Sequence, residues 1–167
     1  MPKQSFAAIC CSIARAVDVV GQRWTPLILR DMFAGMTRFE DIRRDLGIAS
    51  NVLAARLEEL ERNGVVERRQ YHDRPARYEY VLTVKGRDLY PVIATLLAWG
   101  DKWLAGASGP PALTVHADCG RVTTAKTVCA KCGGELNADT AIAAAGPGAH
   151  PGPGTALIGE YIADQRS

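Results

Sequence analysis

The stretch from Thr37 to Arg77 constrains the fold most, because it fits a helix, a tight turn, a longer helix and a basic hairpin in unbroken succession. Phe39, Ile42 and Leu46 recur at helical spacing and line one face. Gly47 stops that helix. Ser50 is the expected cap of the next one, its hydroxyl accepting from a free backbone N–H of the first turn. That helix is expected to reach about Asn63, with Gly64 closing it and Leu53, Leu57 and Leu60 as its buried stripe. At about 100° per residue, Asn51, Ala55, Glu58 and Arg62 fall on the opposite face. Two helices of this size joined by a short turn form the unit that sets its second helix into a DNA major groove.

The hairpin strengthens that reading. Residues 65–69 suit a short strand, residues 78–82 alternate like a returning one, and residues 70–76 form the expected loop. Arg68, Arg69, Arg74 and Arg77 outnumber the acids Glu67 and Asp73, so the arm can reach a phosphate backbone or an adjacent minor groove. On the second helix, Ser50, Asn51, Ala54, Ala55 and Arg56 are the candidates near bases or phosphates. Asn51 can bridge an adenine edge, and the two alanines allow close approach to a thymine methyl. Arg56 flanks the apolar stripe, so a structural ion pair competes with DNA contact there. Glu58, Glu59 and Glu61 would repel phosphates, which leaves only the N-terminal half of the helix to enter a groove. Arg38, Arg69, His72, Arg74 and Arg77 complete the candidate set.

Taken with these, Cys11 to Arg15, Gly21 to Thr25, Leu27 to Asp31, Arg38-Phe39, Ile48 to Ser50, Gly64 to Val66, Tyr78 to Thr83, Gly86 and Trp99-Gly100 resemble the HxlR family of bacterial winged-helix regulators, relatives of the MarR type. The resemblance covers about residues 8–104. It implies a homodimer, paired through the first and last long helices, on an inverted-repeat DNA operator, most simply as a repressor. It leaves open a small-molecule effector. It also draws attention to Cys11, since some relatives use a cysteine here for redox sensing. A helix N-terminus and Arg15 one turn on favour thiolate, while a buried small apolar residue is the plainer reading of the same position.

The flanking segments follow the same logic. Residues 1–10 read as a lightly packed arm. Ser12 is the expected cap of a helix to Val20, ended by Gly21. Trp24-Thr25-Pro26 opens a helix apolar on most sides, with Pro26 where no N–H is needed and Trp24 as a packing residue. Gly35 ends it, and residues 36–38 suit a small extra strand. Thr83 is expected to cap one long helix to about Leu104, kinked at Pro91. Its apolar surface, from Leu89 to Trp103, needs a partner. Residues 1–104 hold 16 Lys+Arg against 13 Asp+Glu, an excess too small to identify a nucleic-acid partner by itself. No apolar run is long enough to cross a membrane, and residues 1–11 carry no secretory pattern. A cytoplasmic protein is expected, so its five cysteines are not read as a disulfide framework.

After a linker at 106–111 comes a near-repeat, His116-x2-Cys119-Gly120 and Cys129-x2-Cys132-Gly133. Two residues between ligands let a tight turn aim both side chains at one ion, and the glycine permits the left-handed backbone that follows. Three thiolates and an imidazole suit a closed, structural Zn2+ site, and metal would supply stability that so short a segment lacks. A redox pair at Cys129 and Cys132, or a ribbon that has lost its metal, are the alternatives. The expected architecture is mainly α with a small β-hairpin. A winged helix-turn-helix domain (1–105) precedes a zinc-ribbon-like module (112–140) and a Pro/Gly-rich tail (141–167) with a short terminal helix. His150 in that tail reads as exposed and not as a ligand. A protein-interaction module built on the winged helix and ribbon is the rival of DNA binding, but would not need the arginine-rich hairpin. No nucleophile–base pair, phosphate loop or open metal site points to an enzyme.

Overall fold

The computed structural model describes residues 5–164. Four helices come first: α1 (Ser12–Val20), α2 (Thr25–Phe33), α3 (Phe39–Leu46) and α4 (Ser50–Arg62). The antiparallel strands β1 (Val66–Asp73) and β2 (Ala76–Leu82) form the hairpin. Then follow α5 (Val84–Arg87), α6 (Tyr90–Leu104), the short pair β3 (Thr114–Val115) and β4 (Val122–Thr123), and α7 (Ile158–Asp164). Residues 1–4 of the expected arm and 165–167 of the expected terminal helix lie outside the described residues.

The core is where the periodicity puts it. Ile28, Leu29 and Met32 of α2 meet Ile42 of α3, the stripe Leu53, Leu57 and Leu60 of α4, and Val65 and Val66 at the start of the hairpin. Each such side chain contributes about 1.5–3 kcal/mol when buried. Trp24 packs against this cluster, whereas Leu27 faces out, so α2 is less fully enclosed than its composition suggests. Asp31 also lies in α2 and is only 2% exposed. Burial pushes its carboxyl above the ordinary 3.8, and Arg30 pulls it the other way. Arg30 Nη2 reaches both Asp31 Oδ1 at 2.6 Å and Asp45 Oδ2 at 2.9 Å, which ties α2 to the end of α3.

Five features differ from the sequence expectation. Ser50 is already helical: the cap is Ala49, extended at ψ 139°, with no side-chain hydrogen bond, and its carbonyl accepts from Val52 and Leu53. The same shift moves the cap of α1 from Ser12 to Cys11. The helix after the hairpin is two helices. Thr83 caps only α5, accepting from the Gly86 N–H at 3.1 Å. Pro91 sits in the first turn of α6 and not in a helix interior, because its ring has no N–H and would meet the carbonyl four residues back. Residues 36–38 form no strand; their one backbone bond to the hairpin runs, among the described residues, from the Tyr80 N–H to the Thr37 carbonyl at 2.7 Å. The hairpin is longer than expected, since pairing runs out to Asp73 and Ala76 with a register shift between Gln70 and His72.

The base of the hairpin is clasped to the end of α4. Gly64, at φ 66°, lets the chain turn there. The Thr83 hydroxyl donates to the Gly64 carbonyl at 2.7 Å and Lys85 Nζ to the Asn63 carbonyl at 2.7 Å. Gly86 is buried against this corner, where an added Cβ would overlap the Val65 carbonyl oxygen. Gly86→Ala is therefore expected to lower the unfolding free energy by about 1–3 kcal/mol, read as a drop in the denaturant midpoint. An unchanged midpoint would mean this corner is looser than drawn.

Candidate nucleic-acid interface

With Leu53, Leu57 and Leu60 turned inward, α4 presents Ser50, Asn51, Ala54 and Ala55 to solvent as one face. These four carry no large side chain, so a surface can approach the backbone of the helix closely. Glu58, Glu61 and Arg62 occupy the other end of the exposed side. Arg56 stands apart from the set. Its Nη1 holds Glu59 Oε2 at 2.7 Å, with the two side chains 22% and 15% exposed. A half-buried ion pair on the helix flank is the structural role that competed with DNA contact in the sequence.

The hairpin extends away from the core, with residues 68–78 exposed throughout. Its arginines are not equivalent. Arg68 stacks on the Tyr78 ring, 3.6 Å from its centroid. Arg69 pairs with Glu67 on its own strand. Arg74 stands in the two-residue turn and Arg77 next to it on β2, and neither forms an ion pair among the described residues. His72 is engaged in shaping the turn, its Nδ1 lying 3.0 Å from the Pro75 carbonyl, a contact it makes as donor. Gln70 Nε2 donates to the His72 carbonyl and to Asp73 Oδ1 at 3.2 and 3.1 Å. Arg38, at the start of α3, lies 5.3 Å from the centroid of Tyr71 and so reaches the hairpin from the side. The Thr37 hydroxyl donates to Glu79 Oε2 at 3.2 Å beside it. The sequence reading missed Tyr71 and Tyr78 as partners of Arg38 and Arg68. The signal was there, in aromatic residues interleaved with arginines along the hairpin.

The appended module consists of two turns of one design. Gly120 N–H donates to the His116 carbonyl and Gly133 N–H to the Cys129 carbonyl, each at 2.8 Å, and both glycines have positive φ. Each turn is flanked by antiparallel pairing, Thr114–Val115 with Val122–Thr123 and Val128 with Glu135. Backbone N–H groups of Cys132 and Lys131, and then the Cys132 thiol, hold the Cys129 thiol below its ordinary range. His116 Nε2 lies 3.9 Å from Asp118 Oδ2. Among the described residues no group of three or more His, Cys, Asp or Glu side chains is gathered closely enough to hold a metal ion. The donors suit zinc in kind and spacing, and the structure assembles the two turns without drawing all four side chains to one point. Leu113, Val115, Val122, Val128 and Leu136 are exposed, so the module buries little core of its own. Cys11 caps α1 and is half-buried, as is Cys10 beside it.

Comparison with known proteins agrees with this geometry. The sequence model of the HxlR-like helix-turn-helix family matches residues 19–108. An HTH-type transcriptional regulator of Mycobacterium tuberculosis, Rv3095, is 42% identical over 137 residues, which is 82% of this chain and 87% of that protein. The crystal structure of PA1607, a candidate transcription factor, superposes with a TM-score of 0.76 at 34% identity, covering 84% of this chain and 99% of that one. The redox regulator HypR in its reduced form matches with a TM-score of 0.52 at 34% identity, over 55% of this chain and 92% of that one. Even counted from residue 1, the 137 residues shared with Rv3095 reach past the family match into the appended module.

The placement of Arg56 makes a separable prediction. Arg56→Ala should cost about 0.5–1 kcal/mol of stability through removal of the ion pair and move DNA affinity far less than Arg74→Ala does. A variant of full stability that no longer binds DNA would put Arg56 on the DNA instead. Thermal unfolding and a DNA titration on the same preparation decide.

Proposed function

The chain belongs to the HxlR-like helix-turn-helix family and is a transcriptional regulator; from that premise we propose that it binds an inverted-repeat operator as a homodimer and represses. One observation carries the reading. The N-terminal half of α4 is exposed and free of bulky side chains, and the hairpin that follows the other end of α4 carries at its far end Arg74 and Arg77, neither in an ion pair among the described residues. Asn51, with Ala54 and Ala55 beside it, reads base edges, and Ser50 and Arg38 hold phosphates. Arg74 and Arg77 hold phosphates at the hairpin end, supported by Arg69 and by the turn that His72 stabilises. Dimerisation is supported by apolar surface that one chain leaves open: Ile13 on α1 is 74% exposed, and Trp99 and Trp103 on α6 are 55% and 63% exposed. Two-fold pairing of these helices would set two copies of α4 about one helical turn of DNA apart.

Zn2+ belongs to the same proposal, with His116, Cys119, Cys129 and Cys132 as ligands. When bound it would supply cross-linking of the two turns and no catalysis. A redox reading through Cys11 has one observation in its favour, the likeness of 55% of this chain to the redox regulator HypR.

Arg74→Ala and Arg77→Ala should each weaken binding to every DNA sequence alike. Each should also flatten the dependence of log K on log salt by about 0.9 for every phosphate that is no longer neutralised. Asn51→Ala should instead change which sequence wins, by about 1–3 kcal/mol of discrimination at one base pair. A salt slope unchanged in both arginine variants would remove the hairpin from the DNA. For the metal, elemental analysis of protein kept reduced should return about one zinc per chain, and chelation should raise the number of fast-reacting thiols. Metal-free reduced protein with no such rise would contradict the zinc assignment.

A further inference from the structure

The segment that follows the ribbon is not idle. Residues 144–162 fold back onto the start of the chain, outside the residues matched to the family. Gly154, at φ +75°, packs so near Ile9 that a Cβ there would lie 3.0 Å from Ile9 Cδ1. The Cys10 thiol donates to the Gly148 carbonyl at 3.2 Å. Between arm and tail lies a cavity of about 490 Å³, within the usual range of small-molecule sites.

Its lining suggests what it would hold. Ala144, Ala149, Pro151, Ala156, Ile158 and Ile162 make the walls largely apolar. The polar groups are few: the thiols of Cys10 and Cys11, the Thr155 hydroxyl, the His150 imidazole and the Glu160 carboxylate. Among the described residues no lysine or arginine lines it, and Arg15 belongs to the smaller adjoining recess that shares Cys10 and Cys11, so an anion within the cavity would meet the Glu160 carboxylate. A neutral apolar molecule gains from the walls, and one N–H or O–H on it finds an acceptor in Glu160 or His150. We propose that the tail and the N-terminal arm together form a binding site for a small, uncharged, mainly apolar ligand carrying one hydrogen-bond donor.

The probe is N-phenyl-1-naphthylamine, which is neutral, carries one N–H and fluoresces in apolar surroundings. Its counterpart is 1-anilinonaphthalene-8-sulfonate, the same ring system with a negative charge. Titrated into the full chain, the neutral probe should bind saturably near one per chain, and the sulfonate about tenfold more weakly or worse. The neutral probe should slow alkylation of Cys10 and Cys11 by N-ethylmaleimide, without protecting Cys119 or Cys132. Ala149→Trp and Ala156→Trp, which fill the cavity, should each weaken the neutral probe by about tenfold. Circular dichroism showing unchanged helix content would confirm that both variants fold. Equal binding of the two probes, unchanged affinity in both folded variants, or no protection of Cys10 and Cys11 would overturn the proposal and place the probe elsewhere, as on the open apolar face of α6. The readout is binding at the tail, so its failure is distinct from a failure to recognise DNA.

Discussion

Everything at the interface depends on how α4 is rotated. Leu53, Leu57 and Leu60 are driven into the cluster formed by Ile28, Leu29 and Val65, and burial of that stripe leaves no freedom in which residues face outward. The face proposed to read DNA is thus the complement of the core. Asn51, Ala54 and Ala55 stand exposed because the leucines do not. The exit from α4 is pinned as well, by the Thr83 and Lys85 bonds to the Gly64 and Asn63 carbonyls just past its end. The hairpin that grows from this corner is therefore aimed by the same packing that orients the helix.

Within that frame the arginines of the hairpin divide by partner. Arg68 is occupied by a tyrosine face and Arg69 by Glu67, while Arg74 and Arg77 at the far end have no such partner among the described residues. Stacking on Tyr78 costs Arg68 little of its charge but fixes its direction, which suits a residue that shapes the arm. Arg38 and Tyr71 extend the same arrangement across to α3. Charge counted along the chain gives an excess of three over residues 1–104. Charge placed in space says more, because Arg74 and Arg77 stand together at one end of the hairpin with no ion pair among the described residues.

Much of this was legible in the sequence, and the exceptions have physical reasons. The stripes of α3 and α4, the two glycine stops and the hairpin all follow from periodicity and backbone freedom, which are local. The helix caps lie one residue before Ser12 and Ser50, because a serine one position inside a helix has the same neighbours in sequence as one that caps it. Pro91 suggests a kink in the sequence, although the short α5 and the turn at Asp88 and Leu89 place it where its missing N–H costs nothing. The Arg68–Tyr78 and Arg38–Tyr71 pairs depend on strand register and on tertiary placement, which spacing alone does not encode. The packing of the Ala/Gly/Pro tail against Ile9 and Cys10 was equally out of reach, since small residues carry no periodic signal and their fit depends on shape.

The central claim is that the outward face of α4, repeated by two-fold symmetry, reads DNA sequence. Selection of bound duplexes from a random-sequence pool by the full-length protein tests it directly. The account predicts enrichment of one inverted repeat, with half-site centres separated by about 10–10.5 base pairs or a multiple of that. Recovery of a pool no different from the input, from protein shown to be folded, would contradict it.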